Sequence, residues 1–368
     1  MSGFEQLLGR VRDNLASACV DLSRENLTKI QMKLFSVALR ANTTIRVLSL
    51  SNNNLGSCPK KMKHLSEALK INKTVQYLYL SANNLGDCLE GIISLSDALR
   101  SNTSIQYLEL KFNNFGICSE VMKHLSDSLG VNTSIHTLSL GNNKLGNCPK
   151  SMKHLSKALK INRTIQNLGL KCNNFGGCSD PSGMKHLSEA LKINNSIRGM
   201  YMADNNLGSF PNSIHVKYLS EALKVNSSIQ CLHLSGNNLG DCSGVMDYFA
   251  EAIKNNSSIQ ELYISHNNLG NCYDVFGLKI LSKALKYNET LQKIWLDNNN
   301  LESSIGIKFL SKAFKTNGSV QVLGLYGNNL NESVLDNLSH IMDRNKHNNR
   351  LKSNYLFELL LPILDYDV

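Results

Sequence analysis

Ten cysteines and ten histidines are the side chains of this 368-residue sequence best suited to covalent or metal chemistry. Cys231 stands two residues from His233, and Glu261 follows on the same side of a later, similar segment. A thiol near an imidazole and a carboxylate is the composition of an activated nucleophile. No oxyanion donor is evident beside these residues and nothing orients the pair, so catalysis is not expected. Seven cysteines recur at nearly constant spacing: Cys58, Cys88, Cys118, Cys148, Cys178, Cys242 and Cys272. Zinc ligands come in close pairs, which this spacing does not provide. Phe210, Ser304 and Ser333 fill the equivalent places elsewhere. A position that accepts Cys, Phe or Ser is a packing position, so these thiols are expected to be reduced and buried. That implies a reducing compartment. There is no HExxH and no phosphate-binding Gly loop. The sequence therefore implies no metal, no cofactor and no enzyme.

The cysteine spacing is one symptom of a repeat. Segments beginning at Ile45, Val75, Ile105, Ile135, Ile165, Ile197, Ile229, Ile259, Leu291 and Val320 share the pattern I-x-x-L-x-L-x-x-N-N-L-G, at intervals of 29 to 32 residues. Val20, Leu22 and Leu27 mark a degenerate earlier copy. Leu48 and Leu50 alternate with Val47, Ser49 and Ser51, the period of a short strand. Met62, Leu65, Ala68 and Leu69 recur at helical spacing. One strand and one helix cannot close a core, so the copies must stack along a shared apolar seam. Strands stack at about 4.8 Å and helices at about 8–10 Å. The mismatch curves the stack, with strands inside and helices outside.

Two asparagines per copy carry the turns. One set is Asn53, Asn83, Asn113, Asn143, Asn173, Asn205, Asn237, Asn267, Asn299 and Asn328, whose amides can satisfy backbone groups left unpaired after each strand. The other, from Asn42 and Asn72 to Asn317, ends each helix, where a left-handed conformation is expected. Each of these precedes Ser or Thr by two residues, which makes a formal glycosylation sequon. Capping chemistry accounts for the coincidence.

This pattern resembles the leucine-rich repeat of the ribonuclease-inhibitor-like subtype. The resemblance implies an α/β class, a right-handed horseshoe solenoid with parallel strands on the concave face and helices on the convex face. The expected divisions are a capping helix over 1–16, repeats over 17–343, and a C-terminal cap or tail over 344–368. Phe4, Leu7, Leu8, Val11 and Leu15 form the stripe of the first cap. At the other end a last repeat helix, a polar run from Arg344 to Arg350 and a short helix broken at Pro362 are expected.

Strand positions facing away from the core are free of packing demands, so their composition is informative. They are Tyr77, Tyr79, Tyr107, Glu109, Lys111 and Phe112, then Tyr201, His233, Glu261, Tyr263, His266, Lys293, Trp295, Asp297 and Tyr326. Aromatics beside charges are the make-up of interaction hot spots. Between them the face empties, through Thr137, Ser139 and Gly141 to Asn167 and Gly169. Three copies carry extra residues after the strand, at 179–183, 211–215 and 273–277, and these are candidate rim contacts.

Net charge is +10. Lysines flank the apolar stripes of the helices, a solvated outer face with some attraction to nucleic acid or anionic lipid. No nucleic-acid module is evident, so that partner class is the weaker one. No run is long enough to span a membrane. Glu5, Arg10, Arg12 and Asp13 interrupt any secretory apolar segment, which points to a cytoplasmic protein. Near-identical Asn- and Lys-rich copies without an attached enzyme are similar to the leucine-rich-repeat effectors that intracellular bacteria of the Legionella type inject through a type IV system. That resemblance implies a non-enzymatic scaffold acting on a host protein in the host cytosol. Two alternatives are an inhibitor or regulator of an acidic enzyme and a basic-surface binder of nucleic acid or anionic membrane.

Overall fold

A computed structural model describes residues 3–209, 214–240, 243–270, 276–302 and 304–364. The chain divides into two compact units, residues 1–206 and 207–368.

In the first unit the strands are β1 (Cys19–Asp21), β2 (Val47–Ser49), β3 (Tyr77–Tyr79), β4 (Tyr107–Glu109), β5 (Thr137–Ser139), β6 (Asn167–Gly169) and β7 (Gly199–Tyr201). Each pairs in parallel with the next, with Leu48, Leu78, Leu108, Leu138, Leu168 and Met200 in one register row. All six of these side chains are fully buried. The helices are α1 (Gly3–Arg12), α2 (Lys29–Ala41), α3 (Pro59–Ile71), α4 (Leu89–Ser101), α5 (Ser119–Val131), α6 (Pro149–Ile161) and α7 (Ser182–Leu191). Their apolar stripes, such as Met62, Leu65, Ala68 and Leu69, close the core against the strands. In the second unit α8 (Ile214–Leu223), β8 (Cys231–His233), α9 (Ser243–Asn255), β9 (Glu261–Tyr263), α10 (Phe276–Tyr287), β10 (Lys293–Trp295), α11 (Ser304–Thr316), β11 (Val322–Gly324) and α12 (Glu332–Leu364) repeat the scheme. β8 to β11 are again parallel and consecutive. Each unit is thus an α/β solenoid of the leucine-rich-repeat kind.

The turn asparagines are clamps between copies. Asn143 is fully buried. Its Nδ2 donates to the carbonyls of Leu110 (2.9 Å) and Leu140 (2.9 Å) and lies 3.1 Å from that of Gly141. Its Oδ1 accepts from the amides of Asn113 (2.8 Å) and Phe115 (3.4 Å) in the preceding copy. The left-handed residues flank this position rather than occupy the helix end: Asn142 has φ 56° and Lys144 φ 58°. Gly116 follows the same logic of close approach, since a Cβ there would run into the Lys144 carbonyl of the next copy.

The helix-ending asparagines depart from expectation. Asn72 and Asn132 have extended backbone, with φ −63° and −69°. Their side chains do the work. Asn132 Oδ1 accepts from Ser134 N (3.0 Å) and Ile135 N (2.8 Å), while Nδ2 reaches back to Leu99 O (2.7 Å). Bonding the previous copy requires the chain to turn outward, which extended geometry provides. An Nδ2 buried against carbonyls also leaves no room for a glycan in the folded protein.

The cysteine ladder needs correction. Cys88 is buried, but Cys58, Cys118, Cys148 and Cys178 are only half-buried, and none of the described cysteines is in a disulfide. Cys58, Cys88, Cys118 and Cys148 stand at helix N-caps, at the margin of the core. Cys242 and Cys272 lie outside the described residues, as do 211–213 and 273–275 of the rim insertions.

Both ends differ in detail. Val11 is buried and its carbonyl accepts from Asn42 Nδ2 (2.8 Å), but Leu15 is 68% exposed because α1 stops at Arg12. At the other end the polar run does not interrupt the helix: α12 continues unbroken to Leu364. Residues 344–350 contain neither Pro nor Gly, and Asn345, fully buried, donates to Asn317 O (3.0 Å) and Val320 O (2.8 Å). It closes the ladder that the helix-ending asparagines began.

A row of buried hydroxyls runs through the helices at Ser36, Ser66, Ser96, Ser126, Ser156 and Ser220, and their Oγ atoms have no hydrogen-bond partner. Small side chains suit the seam between neighbouring helices, but an unpaired buried hydroxyl is costly. Ser96→Ala is expected to raise stability by about 0.5–1 kcal/mol, read as a higher urea midpoint. A lower midpoint would mean the hydroxyl has a partner in solution.

Candidate protein-binding face

In a three-residue strand the middle side chain enters the core and the outer two face away from the helices. The register therefore sets two columns on the exposed sheet face. In the second unit one column reads Cys231, Glu261, Lys293, Val322 and the other His233, Tyr263, Trp295, Gly324.

The second column forms a ring stack. His233 and Tyr263 have ring centroids 3.7 Å apart at 12°, and Tyr263 and Trp295 3.9 Å apart at 4°. These separations are shorter than the roughly 4.8 Å between strands, so the rings lean together. Gly324 ends the column, and a Cβ there would press on Trp295 and Asp297. Its absence leaves room for the indole to lie over the last strand.

Charges border the stack. Lys293 Nζ is 2.7 Å from Glu261 Oε1, and Tyr263 donates its hydroxyl to Glu261 Oε2 at 3.3 Å. The hydrogen bond from Lys293 outweighs burial and holds the Glu261 carboxyl below the usual carboxylate range. Asp297 accepts from Ser265 Oγ (3.2 Å) and Tyr326 N (2.8 Å). His266 pairs with Asn298 Nδ2 at 3.2 Å and has φ 55°, the left-handed backbone that histidine tolerates better than most residues. Tyr326 stands apart, 83% exposed, lining a hollow of about 740 Å³ between the last turn and α12.

Cys231 Sγ lies 3.9 Å from Glu261 Oε2. Burial, reinforced by that carboxylate, pushes the thiol up to about 11. It is therefore protonated at neutral pH, the opposite of an activated nucleophile. Among the described residues no group of three His, Cys, Asp or Glu side chains is placed to hold a metal. Among them no helix is long and apolar enough to cross a membrane.

The first unit carries a second cluster. Tyr107 packs between Tyr77 (6.0 Å) and Tyr79 (5.2 Å). Glu109 receives Lys111 Nζ at 2.8 Å, Ser81 Oγ at 2.8 Å and the Tyr107 hydroxyl at 3.1 Å. Burial works to raise this carboxyl, but the hydrogen bonds from Lys111, Ser81 and Tyr107 prevail and hold it low. Beside the cluster lies an open basin of about 610 Å³. Tyr107 and Phe112 wall one side and Tyr201 the other, with Thr137, Ser139, Asn167 and Gly169 as its floor. The small residues of successive copies make the hollow, a feature legible in the sequence. Lys171 and Asp204 pair at 3.1 Å, a contact that spacing alone does not give. Phe112 is 53% exposed at φ 55°, strained and unburied, which favours a contact role over a packing one.

His233 gives this face a pH signature. Burial lowers its pKa against the opposing pull of Glu261. The unfolded histidine titrates near 6.5, so below that pH the unfolded state binds more protons and stability falls as pH falls. The contribution is complete above about 6.5. His233→Phe keeps an aromatic in the stack and is expected to flatten the dependence of the unfolding midpoint on pH below 6.5, followed by Trp295 fluorescence. An unchanged slope would remove His233 from the account.

A family model described as Leucine Rich repeat matches residues 41–57 and 225–244. No curated protein matches the chain in sequence. Among solved structures it is similar to leiomodin-1 actin-binding site 2, at 22% identity and TM-score 0.35, covering 43% of this chain and 91% of that one. It is similar to the tropomodulin C-terminal domain of Caenorhabditis elegans at 14% identity and TM-score 0.32, covering 52% and 93%. It is also similar to a chain of the yeast Rad7 and Elc1 complex at 12% identity and TM-score 0.45, covering 90% and 83%. None of these superpositions is close enough to bear on function. The repeating strand–helix units and the two matched segments together make this chain a leucine-rich-repeat-like solenoid.

Proposed function

We propose that this solenoid is a non-enzymatic scaffold that grips a protein partner on the exposed sheet face, centred on His233, Tyr263 and Trp295. The architecture fits a protein-interaction scaffold of the leucine-rich-repeat kind. The observation that carries the reading is the ring stack itself, apolar at its centre and bordered by Glu261, Lys293 and Asp297. Aromatic anchors inside a polar rim are the anatomy of an interface. The tyrosine cluster and basin of the first unit offer further contact area. The near-identical Asn- and Lys-rich copies support a narrower version, in which the chain is a bacterial effector and the partner a host protein. The basic balance of +10 favours an acidic partner.

Capture from a eukaryotic lysate at about 150 mM salt tests this. The wild-type chain is compared with a Tyr263→Ala, Trp295→Ala double variant shown to be folded by circular dichroism. A protein retained by the first and lost by the second is the expected result. Identical captures would move binding off this face.

A further inference from the structure

We propose that the groove between α10 and α11, on the helix side of the second unit, docks an acidic protein segment that carries apolar side chains. This site is separate from the sheet face.

Many repeats place a carboxylate at one helix position, and several of these bind a cation of the preceding copy. Arg40 meets Glu67 at 2.9 Å, Lys160 meets Glu189 at 3.7 Å, and Lys224 meets Glu251 at 2.8 Å. In the motif L-S-x-A-L this is the x residue, and α4 and α5 carry Asp97 and Asp127 there. In α10 and α11 the same position holds Lys283 and Lys312. A single reversal at Lys157 in α6 is flanked by Asp127 and Glu189 in the neighbouring copies. In the double reversal Lys283 still lies beside Asp247 and Glu251 of α9, but Lys312 has no carboxylate at that position on either side, with Lys283 before it and His340 after it. α10 and α11 carry six lysines and no Asp or Glu, whereas every other pair of neighbouring helices within either unit includes a carboxylate.

The two reversals sit on a groove of about 330 Å³ lined by Lys279, Lys283, Lys286 and Lys312 around Tyr287 and Phe309. Tyr287 is 59% exposed. Among the described residues none of these four lysines has a carboxylate within ion-pair distance. Two of the four, Lys279 and Lys286, turn to rings instead, joined by Lys254 of α9. Lys279 stands 5.5 Å from the Phe309 centroid, and Lys254 and Lys286 stand 5.5 and 5.1 Å from that of Tyr287. Exposed cation–π contacts of this kind are weak, and carboxylates from a partner would replace them with charge-assisted hydrogen bonds.

The occupant follows from this chemistry. Several unpaired cations call for an anion, and the aromatic floor between them calls for an apolar side chain. A nucleic acid would supply charge, but the half-buried Phe309 and a groove of only about 330 Å³ suit a single apolar side chain better than stacked bases. An acidic peptide takes the cations without displacing the rings.

The probe is a fluorescent synthetic peptide of about twelve residues, the length of α10 and roughly 18 Å if helical, with glutamates bracketing leucine and phenylalanine. It is titrated into the full chain at about 150 mM salt. Saturable binding is expected, falling at least about tenfold in Lys283→Glu, Lys312→Glu and persisting in Lys283→Arg, Lys312→Arg. The glutamate variant restores the charge that other copies carry at exposed positions, so folding should survive, and circular dichroism checks it. Peptides with Glu replaced by Gln, or with Leu and Phe replaced by Ser, should each bind more weakly. Partner capture by the sheet face should be unaffected by the lysine changes, so the two readings fail separately. No saturable binding, equal binding by the glutamate variant, or displacement of the peptide by single-stranded DNA or phosphatidylserine vesicles would overturn the proposal.

Discussion

Asn143→Ala is expected to cost about 3–5 kcal/mol, a large loss for a single turn residue. The side chain bonds three carbonyls or amides of the preceding copy as well as its own turn. Truncation leaves the Asn113 and Phe115 amides without an acceptor in a fully buried setting. Each orphaned buried donor costs about 1–3 kcal/mol. Asn143→Asp is expected to be worse, because it loses the donors and buries a charge. The neighbouring Asn142→Gly supplies the contrast. Asn142 is half-buried at φ 56°, a conformation glycine adopts freely, so that change should be near neutral. Urea unfolding with hydrogen exchange at the Asn113 and Phe115 amides reads both. Because repeat arrays couple only through neighbours, the loss should concentrate around the fourth and fifth strands. A small, uniform effect would mean the ladder is decoration on a core that packing alone maintains.

The second large effect is on binding. Trp295→Ala is expected to weaken the captured partner by at least about 2 kcal/mol, some 30-fold, as truncation of a central aromatic anchor does. Tyr263→Ala should cost at least as much, since it removes the ring that holds both His233 and Trp295 in place. The two losses should not add, because the rings act as one unit. Neither should cost the fold much, for both side chains lie on the exposed face and the core row beneath them, Leu232, Leu262 and Ile294, is untouched. Equilibrium titration of the purified partner against each single variant measures this. A loss in Tyr77→Ala that exceeds both would shift the centre of binding to the first unit.

Much of this is legible in the amino-acid sequence. The alternation of Leu48 and Leu50 and the helical stripe from Met62 to Leu69 follow from period alone, and all of these side chains are fully buried. The columns of the sheet face were legible too, because equal spacing puts His233, Tyr263 and Trp295 at one strand position. Their contact distances were not, since ring separation depends on how the side chains lean once strands are paired. Local rules misled where the partner lies in another copy. Asn72 reads as a left-handed helix cap, yet it bonds Leu39 and Asn42 of the preceding copy from extended backbone. Cys118 reads as core and stands at a helix N-cap. Residues 344–350 read as a break because they are polar, yet Asn345 is fully buried as the last member of a ladder.

Trp295 is the only tryptophan in the chain, so it reports on the proposed interface without labelling. The decisive measurement is acrylamide quenching of its fluorescence in the presence and absence of the captured partner. A partner seated on the ring stack must shield the indole, and the quenching constant should drop on saturation. Full partner occupancy with unchanged quenching would place the contact elsewhere and contradict the assignment of this face.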